Sequence, residues 1–370
     1  MAIARQAAPI KFGLLTDMVI PRTPERDVWE DMVRPFELVF RDGFEQGVLD
    51  RPVEFVKREV EGLPRGTVKA VIDAYGELCD EGCLAVFGPN ISENTIPLRA
   101  EIEKRFQVPA ISLCGADDWL GEWTFALPAG SMTDEPILIA HLIARAGLES
   151  AGVLVERSLI GQLYLRGFRD ACRDAGIALV AEETIAQIDQ DIEGAVRAIH
   201  KAKPDALVHL GFGFGVIRIN EALRSCDWDP PRYMGTSFED AYFSHEIWDA
   251  FVGWVGLEQY DEGNPVGQRF LDRYEEVYGD RPQYFAPVVS RDVAASFLRA
   301  FADAQPLSPL GVMEALERVK MVPAASGSPG TCISFGKWTR RGWMGAGYLT
   351  ARSLNPDRAT HFLAGRYEAI

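Results

Sequence analysis

The sequence predicts an α/β protein built on mainly parallel sheets, and two observations carry that expectation. Apolar strand-like runs alternate regularly with amphipathic helical patterns along the chain. The run Leu84–Phe87 is apolar at consecutive positions and is stopped by Gly88-Pro89, the signature of a strand buried on both faces. At 370 residues the length favours two or three domains.

In order, Ile10–Leu15 is a first strand, left through Thr16-Asp17-Met18, and 21–24 is a loop. Val28, Met32, Phe36, Phe40 and Phe44 recur every four residues and mark one stripe of a helix. Pro35 inside that stripe is expected to kink the helix or mark its true start. Val53–Val60 alternates like a strand, and Pro64–Asp80 is helical with Val68, Val71, Tyr75 and Leu78 on one side. After Leu84–Phe87 come the polar loop Asn90–Thr95, a helix over Ser92–Phe106 and a strand over Val108–Leu113. A strand that ends in a small polar loop and opens a helix leaves free N–H groups, which can hold a polar or anionic ligand.

A second series begins near Ala129. Trp123–Leu127 is a short strand, and Thr133 is the expected N-cap of a helix reaching Ala146. Strands follow at Ala151–Glu156, Ile177–Glu182, Ala206–Leu210 and Tyr233–Thr236, with helices at Gly161–Ala175, Asp191–Lys203 and Val216–Cys226. After Val252–Gln259 the pattern changes to three helical stretches, Val266–Tyr278, Phe285–Ala304 and Pro309–Lys320. Ala324–Gly330 is a flexible link, and Thr331–Phe335 and Met344–Ala351 read as closing strands. The symmetry between halves is architectural, with no repeated sequence.

Composition excludes several classes. Charged residues are 25% and the AVILMFWYC set 47%, ordinary for a packed globular protein. A net charge of −16 argues against a nucleic-acid footprint and against an anionic membrane surface. No run of 18 apolar residues exists, so no transmembrane helix is predicted. Met1–Pro9 lacks the apolar core of a secretory signal: either the protein acts in the cytoplasm, or an export leader has been removed. Cys79, Cys83, Cys114, Cys172, Cys226 and Cys332 are scattered without a CxxC and lean towards a reducing compartment. Cys79 and Cys83 could pair, but two buried thiols are the favoured reading.

Gly211–Gly215, GFGFG, lacks both the GxGxxG pattern and a P-loop lysine, so no nucleotide site is expected. Its glycines allow close backbone approach, and strict alternation would let at most one of Phe212 and Phe214 face a cleft. His209 reads as a satisfied core histidine. The five histidines form no HExxH, and there is no GxSxG elbow and no zinc-like Cys/His spacing. No catalytic residue, cofactor or metal site is therefore predicted.

Three segments, IKFGLL at Ile10–Leu15, GVLDRPVEFV at Gly47–Val56 and AVFGPNISENTIPLRAEIEKRFQVPAIS at Ala85–Ser112, resemble the type I periplasmic-binding-protein family, in its branch that binds branched-chain amino acids and amides. The resemblance implies a two-lobed α/β fold, each lobe a mainly parallel sheet flanked by helices, joined by a three-strand hinge. It places lobe one at 1–128 plus 257–335 and lobe two at 129–256 plus 336–370. It implies hinge closure on an amino-acid-like, amide or aromatic acid ligand and no catalysis. The partner would be an ABC permease or, for a cytoplasmic amide sensor, a regulatory protein.

By the same resemblance Asn90, Ser92 and Ser112, with Gly115 and Ala116, are the positions expected to hold a ligand carboxylate or amide. Asn90-Ile91-Ser92 replaces the adjacent small hydroxyl residues of many relatives. Glu239 or Asp240 matches a carboxylate that neutralises a ligand amine, beside Phe238. Trp119, with Trp123, and Phe212 are candidate aromatic walls. Ile160-Gly161 stands where relatives carry Tyr-Gly, with Tyr164 as a substitute, and Arg291 occupies a position usually held by Tyr.

Overall fold

A computed structural model describes residues 8–19, 26–186 and 192–367. The expected loop over 21–24 and the start of the expected helix at Asp191 lie outside the described residues. The strands are β1 (Ile10–Thr16), β2 (Val53–Glu59), β3 (Ala85–Phe87), β4 (Ala110–Ser112), β5 (Thr124–Ala126), β6 (Ser150–Glu156), β7 (Ala178–Ile185), β8 (Ala206–Leu210), β9 (Arg232–Met234), β10 (Trp254–Glu258), β11 (Val322–Pro323), β12 (Cys332–Ile333), β13 (Thr350–Leu354) and β14 (His361–Arg366). The helices that matter below are α1 (Val28–Glu45), α2 (Val68–Asp80), α3 (Ser92–Glu101), α4 (Asp134–Arg145), α5 (Leu159–Ala175), α6 (Ile192–Ala202) and α7 (Val216–Ser225).

The described chain divides into two compact units. One takes 8–19, 29–129 and 260–348; the other takes 26–28, 130–186, 192–259 and 349–367. The first unit holds a five-stranded sheet in the order β2-β1-β3-β4-β5, parallel throughout. The second holds a seven-stranded sheet, β14-β13-β10-β9-β8-β6-β7, in which β6 to β10 are parallel and β13 and β14 are antiparallel additions. In each unit the first strand lies between the second and the third, so the winding reverses beside β1 and beside β6. Such reversals are where loops at the carboxyl ends of parallel strands open a binding crevice.

The apolar stripe of α1 explains the core of the first unit. Val28, Met32, Phe36 and Phe40 are buried, while Phe44 ends the stripe partly exposed. Pro35 sits inside the continuous helix rather than at its start. Phe12 on β1 meets Phe36, Phe40, Phe55, Phe297 and Phe301 at centroid distances of 4.9–6.2 Å. In the second unit Trp254 on β10 is fully buried, and its indole N–H donates to Asn220 Oδ1 at 3.0 Å. That bond satisfies the one polar atom of a large core ring.

Three expectations change at this level. The helix after Thr133 is not capped by the Thr133 side chain; Ser131 Oγ, two residues earlier, accepts from the amides of Thr133 and Asp134. The helix from Ser92 is α-helical only to Glu101 and then widens into a π turn over Ile102–Phe106, ended by Gln107 in the left-handed region. The closing strand expected over Met344–Ala351 begins at Thr350, and β14 follows it without having been foreseen. Strand β14 was missed because its burial alternates weakly at a sheet edge, which leaves little apolar signal. All six cysteines are free thiols, and Cys83 is buried.

Replacing Phe12 by Ala removes the ring common to five aromatic contacts. The expected cost is about 3–5 kcal/mol of unfolding free energy, measurable by chemical denaturation, against under 1 kcal/mol or so for an exposed control such as Trp338→Ala.

Candidate functional site

The candidate site is the set of loops at the carboxyl ends of the parallel strands, taken separately in each unit. In the first unit the chain leaves β1 at Asp17, a carboxylate only 1% exposed. Asp17 Oδ1 accepts from Asn90 N at 2.8 Å; Oδ2 accepts from Ile91 N at 3.1 Å and from Asn94 Nδ2 at 2.8 Å. Asn94 in turn accepts from Leu63 N at 2.9 Å. One acid therefore ties the loop after β3, the start of α3 and the loop after β2 together. Burial raises the Asp17 pKa, while the amides of Asn90 and Ile91 and the Asn94 side chain pull it down. Gly88 is required here: its φ is +88°, and a Cβ would lie 2.0 Å from the Leu15 carbonyl.

The neighbouring loop after β4 is knitted to the same region. Ser112 Oγ donates to Pro89 O at 2.5 Å and accepts from Cys114 N at 2.9 Å. Asn90 Oδ1 accepts from Leu113 N at 2.9 Å. The Ser92 hydroxyl lies 3.2 Å from the Cys114 sulfur, and Thr95 Oγ1 donates to the same sulfur at 3.1 Å. Burial raises the Cys114 pKa, so it stays a thiol.

The second unit repeats the device with different residues. Glu156, the last residue of β6, is fully buried; its Oε2 accepts from Phe212 N at 2.8 Å and its Oε1 from Gly213 N at 3.0 Å. Gly211 makes room for it, since a Cβ there would lie 2.2 Å from the Glu156 carboxyl carbon. His209 Nε2 sits 3.4 Å from Glu156 Oε1 without forming a hydrogen bond, and neither ring nitrogen has a partner. The expected satisfied core histidine is thus buried but unsatisfied. Phe212 and Phe214 stack at 5.7 Å with ring planes 13° apart, both half-buried. Alternation fails here because Gly213 has a φ of +86° and returns both rings to one side.

A third carboxylate, Glu135 on α4, accepts from Ser131 N at 2.8 Å, Thr236 N at 3.0 Å and Tyr164 OH at 2.8 Å, and also from Thr236 Oγ1. Burial pushes it up to about 7, against the pull of those donors. Glu239 is 7% exposed and held well above the carboxylate range, first by burial and then by the negative charges of Glu258 and Glu135. Its Oε1 has no partner. Glu258 is different: Arg352 Nε at 3.3 Å and His361 Nδ1 at 3.4 Å face it, and Tyr242 OH donates to it at 3.2 Å.

Of the residues expected at a site, the structure brings Asn90, Ser92, Ser112, Gly115 and Ala116 together in one unit, all buried except the half-exposed Asn90. Phe212, Phe238 and Glu239 lie in the other unit. Phe238 is fully buried, and a Cβ on Gly256 would lie 2.2 Å from it. Trp119 is wholly buried, its indole donating to Phe125 O at 2.8 Å. Arg291 donates to Asp292 Oδ1 at 2.9 Å and to Pro323 O at 2.8 Å. Tyr164 is buried on Glu135. Residue-type reasoning missed Asp17, Glu135 and Glu156. For Asp17 and Glu156 the available signal was an acid at the end of an apolar strand, at LLTD and VLVE; Glu135, in the first turn of α4, carried none.

Among the described residues no helix is long and apolar enough to cross a membrane, and no group of three or more His, Cys, Asp or Glu is placed to hold a metal ion.

Two mainly parallel sheets flanked by helices, each wound in reverse beside its first strand, make up the fold. The sequence profile of the periplasmic binding protein family matches residues 9–344, and the chain belongs to that family, in its type I, branched-chain amino acid-binding-like division. Among solved structures, an ABC transporter substrate-binding protein from Desulfitobacterium hafniense in complex with Leu is 17% identical, with a TM-score of 0.77 over 96% of this chain and 100% of that one. A leucine binding protein from Thermotoga maritima MSB8 is 14% identical, with a TM-score of 0.77 over 96% of this chain and 98% of that one. A solute binding protein from R. palustris in complex with benzoate is 15% identical, with a TM-score of 0.72 over 97% and 96%. Comparison with curated protein sequences finds no match.

Glu135 makes a prediction about pH. Its folded pKa of about 7 lies above the ordinary 4.5. Between those values the unfolded chain releases the proton and the folded chain keeps it. The contribution is therefore complete below about pH 4.5 and is lost as pH rises to about 7, by about 3 kcal/mol at roughly 1.4 kcal/mol per pKa unit. Unfolding titrations of the native chain and Glu135→Gln across this window are expected to differ in slope, with the native chain losing more stability on going up in pH.

Proposed function

We propose that the protein is a non-catalytic solute-binding protein serving an ABC-type importer, and that it takes an amino-acid-like, amide or aromatic ligand. The observation that carries this reading is family membership over 9–344, together with the polar loops at the carboxyl ends of both sheets. Relatives of the same fold are described as complexes with Leu and with benzoate, which supports a small ligand with an apolar body. Of the residues expected at the site, Phe212 and Glu239, both in the second unit, are assigned as ligand contacts. The stacked rings of Phe212 and Phe214 supply an apolar platform, and Glu239 Oε1 supplies an acceptor for a ligand nitrogen.

A thermal-shift screen over amino acids, amides and aromatic acids tests this. A ligand that binds only the native form raises the melting temperature by mass action. At least one class is expected to do so and to be recovered chemically unchanged, with Phe212→Ala weakening it by about tenfold, the order expected when an aromatic contact is lost. Conversion of the ligand to product would contradict the proposal.

A further inference from the structure

The opposite end of the first unit's sheet brings two thiols and a cation to one cavity. Leu84 precedes β3 and Val108 precedes β4, so the surface they share lies at the amino ends of the strands, away from the loops described above. A cavity of about 490 Å³ opens there, lined by Cys79, Cys83, Leu84, Arg105, Phe106 and Val108. All of them belong to the same unit.

Two turns build the cavity. The chain leaves α2 through Gly82, whose φ is +85°. Gly82 N donates to Cys79 O at 2.9 Å and Cys83 N to Leu78 O at 3.1 Å, a closure that folds the chain back over the helix end. Cys83 is thereby returned to the last turn of α2, which carries Cys79. The other wall is the π turn Ile102–Phe106 that follows α3, an interruption of the kind frequent at functional sites. It holds the Arg105 guanidinium 4.8 Å over the Phe106 ring, and Phe106 packs on Tyr75 at 5.5 Å. Tyr75 OH donates to Val108 O at 2.7 Å, which ties that wall to the sheet.

The state of the two thiols decides what they can do. Both are free; Cys83 is buried and Cys79 half-buried. Burial pushes each up to about 12, and negative charge at Cys83 raises Cys79 further. Thiols held protonated in this way are poor nucleophiles, which disfavours disulfide exchange and oxidation. A metal ion that bonds strongly to sulfur displaces the protons all the same. Zinc in a structural site takes four donors, and among the described residues no group of three His, Cys, Asp or Glu is placed to hold a metal ion. Copper(I) is selected by soft thiolate donors and accepts two of them. Its two-thiolate complex carries one negative charge, which the Arg105 charge beside Cys79 offsets against the opposing charge of Asp80.

We propose that Cys79 and Cys83 form a two-thiolate site for a soft monovalent cation, copper(I). On binding, both S–H bonds break, two copper–sulfur bonds form and two protons pass to solvent, with no electron transferred. The site is separate from solute binding and does not depend on it.

The test is anaerobic competition between the full native chain and the chelator bicinchoninate for cuprous ion, read by loss of the colour of the chelator complex. The native chain is expected to take one copper, and Cys79→Ser and Cys83→Ser each to weaken uptake by more than the roughly tenfold typical of losing an outer-shell partner. Cys226→Ser and Cys332→Ser, in other elements, are expected to leave it unchanged. Copper K-edge absorption of the loaded native chain decides the matter if a variant fails to fold: two sulfur donors are expected. Failure to draw copper from the chelator, equal uptake by folded Cys79→Ser and Cys83→Ser, or a copper bound mainly by nitrogen or oxygen overturns the proposal.

Discussion

The structure depends on carboxylates placed in the dry layer at the carboxyl ends of parallel strands. A loop at such a point exposes backbone N–H groups that neither the sheet ladder nor the helix can satisfy. Water or a ligand satisfies them in many proteins; here Asp17, Glu156 and Glu135 do so. The cost of burying each acid is offset by two or more donors on each one, so the carboxylate and the loop stabilise one another.

The repetition across the two units shows that this is a property of the topology. In each unit the first strand of the βα series lies beside the third, so the end of β1 reaches the loop after β3, and the end of β6 reaches the loop after β8. Gly88 and Gly211 open those two loops at positive φ, where a Cβ would collide with backbone or carboxylate. The same geometric need is met by different residues, an Asp past the strand end in one unit and a Glu on the last strand position in the other.

Much of the fold was legible in the chain because buried parallel strands write themselves as apolar runs, and α1 writes its buried face as Val28, Met32, Phe36 and Phe40. The loop after β3 was legible from Gly88-Pro89 and the polar residues beyond it. The clamps were not. An acid after an apolar strand usually reads as a solvated turn, and only the path of the neighbouring loop turns Asp17 into a buried acceptor. Nor could alternation foretell that Phe212 and Phe214 share a side, since Gly213 supplies a backbone state that no side chain records. Ser131 displaced Thr133 as the cap of α4 for a similar reason: cap geometry is decided by the loop path, and both residues were chemically fit for it.

Backbone amide hydrogen exchange in the ligand-free protein tests the central claim most directly. The account predicts that Asn90, Ile91, Phe212 and Gly213 are protected although they belong to loops, and that Asp17→Asn lowers protection at Asn90 and Ile91 while leaving Phe212 and Gly213 unchanged. Exchange at all four amides at the rate of open loops, with protection appearing only when a solute is added, would contradict it.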